Sequence, residues 1–521
     1  MLVSDFLSDS AIRFPEKDFL VWRDRRITYG SMSRTADDLA AGLVDEGLVA
    51  GERVGLCMSN SPEYVLAYFG VMKAGAVVVP VSEQSTARGL AGILNNCQAS
   101  MLFVDQVVLQ TLPDVLSSTP SLRRVIVAAK GDIGEDGDEE RIRELPPGSP
   151  AFRTLGQILT ESKGKVAPCS AQEQDLAMIC YTSGTTGSPK GVMLTHRNLV
   201  ANAESIVKYL RLTSDDRMMV VLPFYYSYGN SLLTTHAKVG GTLDIGRNFI
   251  YPNMVLDLML REGVTGFAGV PSTFAILLNR SAIRKYAFPM LRYLTQAGGA
   301  MSPRSAEELH RILPGTDIFI MYGQTEASAR LTYLAPADFR RKAGSIGKPI
   351  PGVQITIRRE DSTPCVPREV GEIVAEGDNV MKGYWGDVEG TSRVLRSDGL
   401  HTGDMAWMDE EGYIYIVGRQ SEFIKSGGHR IGAKEIEEAI LELPTVHEVA
   451  VVGEEDEILG ESITAYVVAK ERSGIDPHAI QRCCRDRLPV YMVPRKVVFM
   501  DELPKTISGK IRKNELRRVE G

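Results

Sequence analysis

No stretch of the 521-residue chain strings together the roughly 18 apolar residues that cross a bilayer. The densest runs, such as Met218 to Leu222 and Val77 to Val79, read instead as buried strands. Export signals are missing too. The opening MLVSDFLSDSAIRFPEKD has Asp5 and Asp9 where a signal peptide places basic and then apolar residues, and its Phe6, Ile12 and Phe14 are expected on one helix face. Cysteine is scarce: the seven present form no C-x-x-C pair, and an odd number suits a disulfide framework poorly. They read as reduced thiols of a cytoplasmic protein, mostly core filler. Nor is there an excess of positive charge, since 59 Lys and Arg against 66 Asp and Glu leave a net charge of -7, so the whole molecule is no nucleic-acid binder. No two glycines stand two residues apart, which excludes the G-x-G-x-x-G dinucleotide fingerprint, and there is no G-x-S-x-G nucleophile elbow.

What remains is an ordinary globular composition, 44% apolar and 24% charged, in a chain long enough for about three or four domains. Short β-rich runs alternate with helical stretches: Arg53 to Met58, Ala76 to Val81, Met101 to Val104, Arg124 to Ala128, Leu176 to Tyr181, Met218 to Pro223, Thr265 to Val270 and Asp317 to Met321. Alternation of this kind favours an α/β fold on largely parallel sheets. Asn198 to Tyr209 and Ser305 to Leu313 carry the 3.6-residue apolar period of helices between them. Gly131 to Pro150 is charged, rich in Gly and Pro, and without period, so it is expected as an exposed connector. After about residue 350 the pattern turns β-rich, at Gln354 to Arg358, Gly371 to Val374 and Tyr413 to Val417, and after Gly418 a compact unit with a βαβ-like rhythm begins. The expected division is 1–419 and 420–521.

The strongest local signal is Tyr181-Thr182-Ser183-Gly184-Thr185-Thr186-Gly187-Ser188-Pro189-Lys190-Gly191. A buried strand empties into a loop of hydroxyls and glycines that ends in a lysine, and a helix is expected to start near Thr195. Glycines admit a close backbone approach to an anion, hydroxyls donate, and the lysine adds a point charge. The loop is suited to polyphosphate, although composition alone leaves it readable as a polar surface loop. It is no Walker A sequence, because Gly184 and Gly187 are three apart and Lys190 precedes Gly191 rather than Ser or Thr. A second cluster, Tyr322-Gly323-Gln324-Thr325-Glu326, follows the apolar strand DIFIM, at the carboxyl end where open sheets bind ligands. Tyr322 offers a ring to a base, Thr325 a hydroxyl to a phosphate and Glu326 a hard oxygen to magnesium. Gln296 to Pro303, with Gly298, Gly299 and Ala300, leaves another strand in the same way. Further on come His401-Thr402-Gly403-Asp404 and Gly418-Arg419, a carboxylate and a cation suited to ribose hydroxyls and phosphate, and then Pro504-Lys-Thr-Ile-Ser-Gly-Lys510. Taken singly, Asp404 reads as a turn residue, Arg419 as a surface cation and Lys510 as a solvated tail charge.

Together, in this order and spacing, these segments resemble the adenylate-forming superfamily of acyl- and aryl-coenzyme A synthetases, stand-alone adenylation domains of peptide synthetases and beetle luciferases. The resemblance covers nearly the whole chain. It implies a large N-terminal domain of α/β subdomains with a β-rich subdomain, followed by a small mobile α+β C-terminal domain. The implied chemistry is formation of acyl-AMP and pyrophosphate from ATP and a carboxylic acid, then transfer of the acyl group to coenzyme A. By the same resemblance Lys190 and the hydroxyls from Thr182 to Thr186 manage the β- and γ-phosphates, Thr325 the α-phosphate, Glu326 a magnesium ion, and Lys510 is the catalytic lysine. Gly299, Ala300, Tyr322, Gly323 and Gln324 would hold the nucleotide, and Asp404 with Arg419 its ribose. Gln420 and Ser421 fall at the hinge, where relatives usually have Asp or Lys in place of the serine. Gly427 and Gly428 fall in the loop lining the thiol's tunnel, and Arg430 among phosphate-contacting residues.

Leu222 to Asn230 resembles the acyl-pocket segment, with Tyr226 where many relatives have His. Tyr226, Tyr228 and Asn230 suit a flat or modestly polar acid better than a long saturated chain, and the glycines of the floor, Gly298, Gly299 and Gly323, leave its depth open, so an aryl or short- to medium-chain acid is expected. No Asp stands in this segment to hold an ammonium group, which disfavours an α-amino acid. An alternative acceptor is the phosphopantetheine arm of a carrier protein. The run from Lys505 to Arg518, with six basic residues and one acidic, would meet an acidic carrier or the nucleotide of coenzyme A, and reads equally well as a solvated tail.

Overall fold

The computed structural model describes residues 1–110, 112–128, 151–167, 171–182, 189–246, 249–419, 423–426, 429–470, 476–505 and 511–516. The connector expected at Gly131 to Pro150 lies outside them. Among the described residues the chain builds four sheets. Two large ones carry the alternating strands that the hydrophobic runs predict. In the first, Arg53–Cys57, Val77–Val81, Met101–Asp105 and Arg124–Ala128 run parallel as largely buried, mostly apolar strands, rich in Val, Ile and Leu because helices cover both faces. In the second, Arg217–Val220, Gly266–Gly269, Tyr293–Gln296 and Asp317–Tyr322 run parallel. The run expected at Met218 to Pro223 stops pairing at Val220, and the segment beyond it turns into the helix Ser227–Val239.

Both large sheets change direction at one edge. In the first, Leu176–Thr182 pairs parallel with Val77–Val81 only at Val78↔Met178, and then pairs antiparallel with Lys190–Thr195. Pro80, with no N–H to give, stands two residues beyond that single parallel pair. In the second, Asp317–Tyr322 pairs antiparallel with Thr332–Leu334. These edges hold two of the polar segments singled out above, the one between Thr182 and Lys190 and Tyr322 to Glu326, where parallel pairing ends.

A third sheet is built from Val353–Arg358, Gly371–Gly377, Gly399–Met408 and Ile414–Arg419, all antiparallel. The fourth belongs to the C-terminal unit. Val446–Asp456 and Gly460–Ala469 form its long hairpin, joined by Ile424–Ser426 and by Lys496–Phe499 in parallel, with helices Ala433–Leu441 and Pro477–Arg485. Its core, including Ile424, Ile436, Val451 and Ile480, is distinct from the cores of the larger part. The fold is therefore mixed α/β, a large N-terminal domain and a small C-terminal one.

At the N-terminus the structure corrects one expectation. The helix Asp5–Arg13 buries Phe6, Leu7 and Ser10, while Ile12 is 80% exposed. At 100° per residue, six positions carry Ile12 to the far side from Phe6, and the helix ends before Phe14 can continue either face. No helix among the described residues is long and apolar enough to cross a membrane. Of the cysteines, 57, 97, 180, 483 and 484 are buried free thiols, as expected of core filler, and Cys365 is half-buried.

Candidate functional site

The hydroxyl and glycine loop leaves the strand Leu176–Thr182 and returns along Lys190–Thr195, with Thr182 opposite Lys190 and Tyr181 opposite Gly191. It is therefore the turn of an antiparallel pair. The helix expected near Thr195 does begin there, at His196, with Thr195 accepting from the Asn198 N–H and the Asn198 side chain accepting in return. A six-residue strand stands between loop and helix, so that helix's N-terminus does not adjoin the anion loop as a strand–loop–helix reading would have it. Ser183, Gly184, Thr185, Thr186 and Gly187 lie outside the described residues, as do Lys510, Gln420, Ser421, Gly427 and Gly428 and the side chain of Arg430.

Lys190 is held by residues that sequence reasoning missed. A short strand, Gly383–Tyr384, pairs beside Lys190–Thr195, and the Trp385 N–H donates to the Gly191 carbonyl at 2.7 Å. Lys190 Nζ consequently lies 4.6 Å from the centroid of the Tyr384 ring and 3.8 Å from Asp387 Oδ2. Asp387 in turn caps the helix Val388–Val394 by accepting from the Gly390 N–H. The Tyr384 hydroxyl donates to Glu326 Oε1 at 2.9 Å. Burial first, and then the Glu326 charge, push the Tyr384 phenol upward, so it stays protonated and serves as a fixed donor. One tyrosine thus ties the anion loop's lysine to the candidate magnesium carboxylate, 136 residues further on (326 − 190).

Thr325 and Glu326 sit in a single 3₁₀ turn, Thr325–Ala327, directly after the strand Asp317–Tyr322. The chain then doubles back. Ser328 and Ala329 take φ of 55° and 101°, and a Cβ on Gly323 would lie 2.2 Å from the Ala329 carbonyl oxygen. Glycine is needed at 323 for that close approach as much as for open space in a pocket. Asn379 stitches the turn, its Nδ2 donating to the carbonyls of Ala327 and Arg330, while the Met381 N–H donates to the Glu326 carbonyl. Thr325 Oγ1 is 3.3 Å from Ser227 Oγ on the neighbouring helix.

Asp404 and Arg419 face each other across adjacent antiparallel strands, and Arg419 Nε donates to Asp404 Oδ1 at 3.1 Å. Asp404 Oδ2 accepts from the Tyr322 hydroxyl at 2.6 Å, and burial together with that carboxylate raises the Tyr322 phenol well above its ordinary range. Glu372 steadies the approach to Asp404: one oxygen accepts from the Gly403 N–H at 2.9 Å and the other meets His401 Nδ1 at 2.8 Å. Neither Asp404 nor Arg419 is the isolated turn residue or surface cation that each suggests alone.

Of the candidate acyl residues, Tyr226 immediately precedes the helix Ser227–Val239 without a side-chain capping bond and lies ring to ring with Tyr225, centroids 4.4 Å apart. Tyr228 is buried; its hydroxyl donates to the Thr295 carbonyl at 2.9 Å and burial pushes its phenol up to about 12. Asn230 is buried as well, and its Oδ1 accepts from Tyr68 at 3.3 Å. Gly298 has φ of 85°, and Gln296 Nε2 holds the Gly299 carbonyl at 2.8 Å. Tyr228 and Asn230 are therefore buried and held by Thr295 and Tyr68, whereas Tyr226 is half-buried.

Among the described residues no three carboxylates, histidines or cysteines cluster to make a protein-only metal cage. Magnesium does not require one. It commonly takes one or two carboxylates and completes its shell with substrate phosphates and water. Glu326, whose Oε1 carries the Tyr384 bond, fits that donor set.

The profile of the AMP-binding enzyme family matches residues 7–385, and that of the AMP-binding enzyme C-terminal domain matches 435–510. The chain is 31% identical over 546 residues to a long-chain-fatty-acid–CoA ligase of Bacillus subtilis, with 99% of this chain and 94% of that one covered. It is 32% identical over 512 residues to the indoleacetate–CoA ligase of Aromatoleum aromaticum, covering 98% and 95%. In structure it is similar to o-succinylbenzoate CoA synthetase from Bacillus subtilis in complex with its acyl-adenylate intermediate, with a TM-score of 0.84, 26% identity and coverage of 98% and 97%.

Proposed function

The chain belongs to the AMP-binding enzyme family, and on that premise we propose that it is an AMP-forming acid–coenzyme A ligase for an aryl or short- to medium-chain carboxylic acid. The observation that carries the reading is the convergence on one segment, Tyr322 to Glu326, of two groups of residues: Lys190 through Tyr384, and Arg419 through Asp404.

In the first step a carboxylate oxygen of the acid attacks the α-phosphorus of ATP; the bond to the bridging oxygen breaks and pyrophosphate leaves, giving acyl-AMP. Two anions must meet, so the work is electrostatic. Lys190 and the neighbouring hydroxyls hold the β- and γ-phosphates, Thr325 contacts the α-phosphate, and Lys510 neutralises the charge developing there. Magnesium, when bound at Glu326, would supply further charge neutralisation between phosphate oxygens. Asp404 fixes the ribose hydroxyls with Arg419, and Tyr322, Gly299 and Ala300 hold the adenine. Tyr384 orients Glu326 and keeps Lys190 facing the loop.

In the second step the thiol of coenzyme A attacks the acyl carbonyl, and AMP leaves with the former acyl oxygen while the thiol proton goes to solvent. The same space cannot hold Lys510 and a thiol channel at once, which calls for rotation about Gln420 and Ser421 to bring Gly427, Gly428 and Arg430 inward. The relatives favour coenzyme A over a carrier protein as acceptor. A cytoplasmic location, expected from the cysteine pattern, fits the supply of both ATP and coenzyme A.

The reading is tested by incubating the purified protein with ATP, magnesium and a panel of aryl and aliphatic acids, with coenzyme A or a phosphopantetheinylated carrier as acceptor. AMP and acyl-coenzyme A are expected to form in equal amounts, dependent on one class of acid. Formation of ADP, or loading of the carrier with none of coenzyme A, would overturn it.

A further inference from the structure

The reaction just described leaves Arg330 without a task. Its side chain is 2% exposed, so the guanidinium has lost its water, and none of the ion pairs among the described residues includes it. Its partners are neutral: Nε to the Met321 thioether at 3.3 Å, Nη1 to the Ala329 carbonyl at 3.2 Å and Nη2 to Ser231 Oγ at 3.4 Å, with the Tyr209 phenol also facing the guanidinium. The Tyr228 ring lies beneath, 4.1 Å from its centroid to the guanidinium carbon. A guanidinium has five N–H donors in a planar fork, and burying an ion is costly unless an opposite charge offsets it. Here no such charge is supplied by the described part of the chain.

The position is nonetheless tightly imposed. The two residues before it, Ser328 and Ala329, take positive φ, which residues with a Cβ seldom adopt. The Arg330 carbonyl accepts from both Asn379 Nδ2 at 2.8 Å and Asn202 Nδ2 at 3.3 Å. The groups around the guanidinium come from the segments that carry the acid site: Tyr228 and Ser231 from the helix opening after Tyr226, Met321 from the strand end before Tyr322, and Ala329 from the turn packed on Gly323. A second buried donor stands on that same helix. Asn230 is 2% exposed, and its Nδ2 has no acceptor.

The geometry points to Arg330 as the reader of a second carboxylate. The acid is then dicarboxylic: one carboxylate reacts with ATP, and the other pairs with the guanidinium fork, whose donor spacing matches two carboxylate oxygens. A monocarboxylic acid of the same shape would leave the cation buried and unpaired in the complex, so the site discriminates against it. This inference rests on the ligase reading and narrows its acid. Arg330 determines specificity and takes no part in bond making.

Acid-dependent ATP–pyrophosphate exchange decides it, using paired acids that differ in a terminal carboxylate: hexanoate against adipate, and p-toluate against terephthalate. In the wild-type enzyme at least one dicarboxylate should exceed its partner by about tenfold or more in kcat/KM, the scale set by a buried group left unpaired. Arg330→Met should remove or reverse that preference with an unchanged or higher thermal midpoint, because deleting an unpaired buried charge relieves the fold. Arg330→Lys should keep part of the preference. Exchange supported by the monocarboxylic acids as well as or better than by the dicarboxylic ones overturns the inference in the wild type alone, whether or not any variant folds. So does an unchanged preference in Arg330→Met, or a uniform loss for every acid with a lowered midpoint. Exchange with none of the acids would remove the ligase reading itself.

Discussion

Replacing Lys510 by alanine is expected to lower acid-dependent ATP–pyrophosphate exchange by about 10²- to 10³-fold, on the order of 3–4 kcal/mol of transition-state stabilisation. Thioester formation from supplied acyl-AMP and coenzyme A should change by no more than a few-fold. The argument is one of charge. Bringing a carboxylate against the α-phosphate places like charges in contact, and Lys510 acts at the reacting oxygens in that step; in the thiol step the charge regained by the leaving AMP develops after the rotation has carried Lys510 away. Lys505 and Ile511 form a β-bridge, and the Arg512 N–H donates to the Pro504 carbonyl at 2.8 Å. Lys505 Nζ also pairs with Glu448 Oε1 at 2.6 Å on the long hairpin of the small domain. Measuring the two half-reactions separately checks the prediction, and normal exchange by the variant would remove the role assigned to Lys510.

Ser421→Pro should give the opposite pattern, with exchange retained within a few-fold and thioester formation slowed by roughly 10²-fold or more. The strand Ile414–Arg419 ends with Arg419 paired to Asp404, and the next described strand, Ile424–Ser426, belongs to a different sheet. The link between them must absorb any rotation of the small domain. In the present arrangement the small domain is held by Lys434 Nζ donating to the Ile416 carbonyl at 3.0 Å, and a Cβ on Gly432 would lie 3.0 Å from the Val417 carbonyl. Proline fixes φ near −65° and removes an N–H, which blocks the dihedral change without touching the adenylation residues. A normal rate of thioester formation in this variant would place the pivot elsewhere.

Much of this arrangement was legible in the chain. Apolar runs such as Arg53–Cys57 and Asp317–Tyr322 announce their strands because both faces of those strands are covered, and the polar clusters announce themselves because they interrupt such runs at their carboxyl ends. What was not legible was who faces whom. Tyr384 stands 58 residues from Glu326 and 194 from Lys190 (384 − 326 and 384 − 190), and nothing local in Gly383–Tyr384 marks it as their link; only the antiparallel register with Lys190–Thr195 puts it there. Asn379 is invisible for the same reason. Ile12 lies six positions from Phe6, about 120° round the helix, so an apolar pair of that spacing shares no face. Arg330 stands just before the strand Thr332–Leu334, where a charged residue looks solvated until its burial is known. Tyr228 and Asn230 were legible as pocket residues only by resemblance, and the bonds that hold them, to Thr295 and Tyr68, belong to packing that no local pattern encodes.

The location of bound nucleotide tests the central claim most directly. A crystal structure with a non-hydrolysable ATP analogue and magnesium should show the ribose hydroxyls on Asp404, the α-phosphate at Thr325, the metal at Glu326 and the terminal phosphates in the loop between Thr182 and Lys190. Nucleotide bound elsewhere, with the Tyr384–Glu326 and Tyr322–Asp404 contacts undisturbed and the loop empty, would contradict the account.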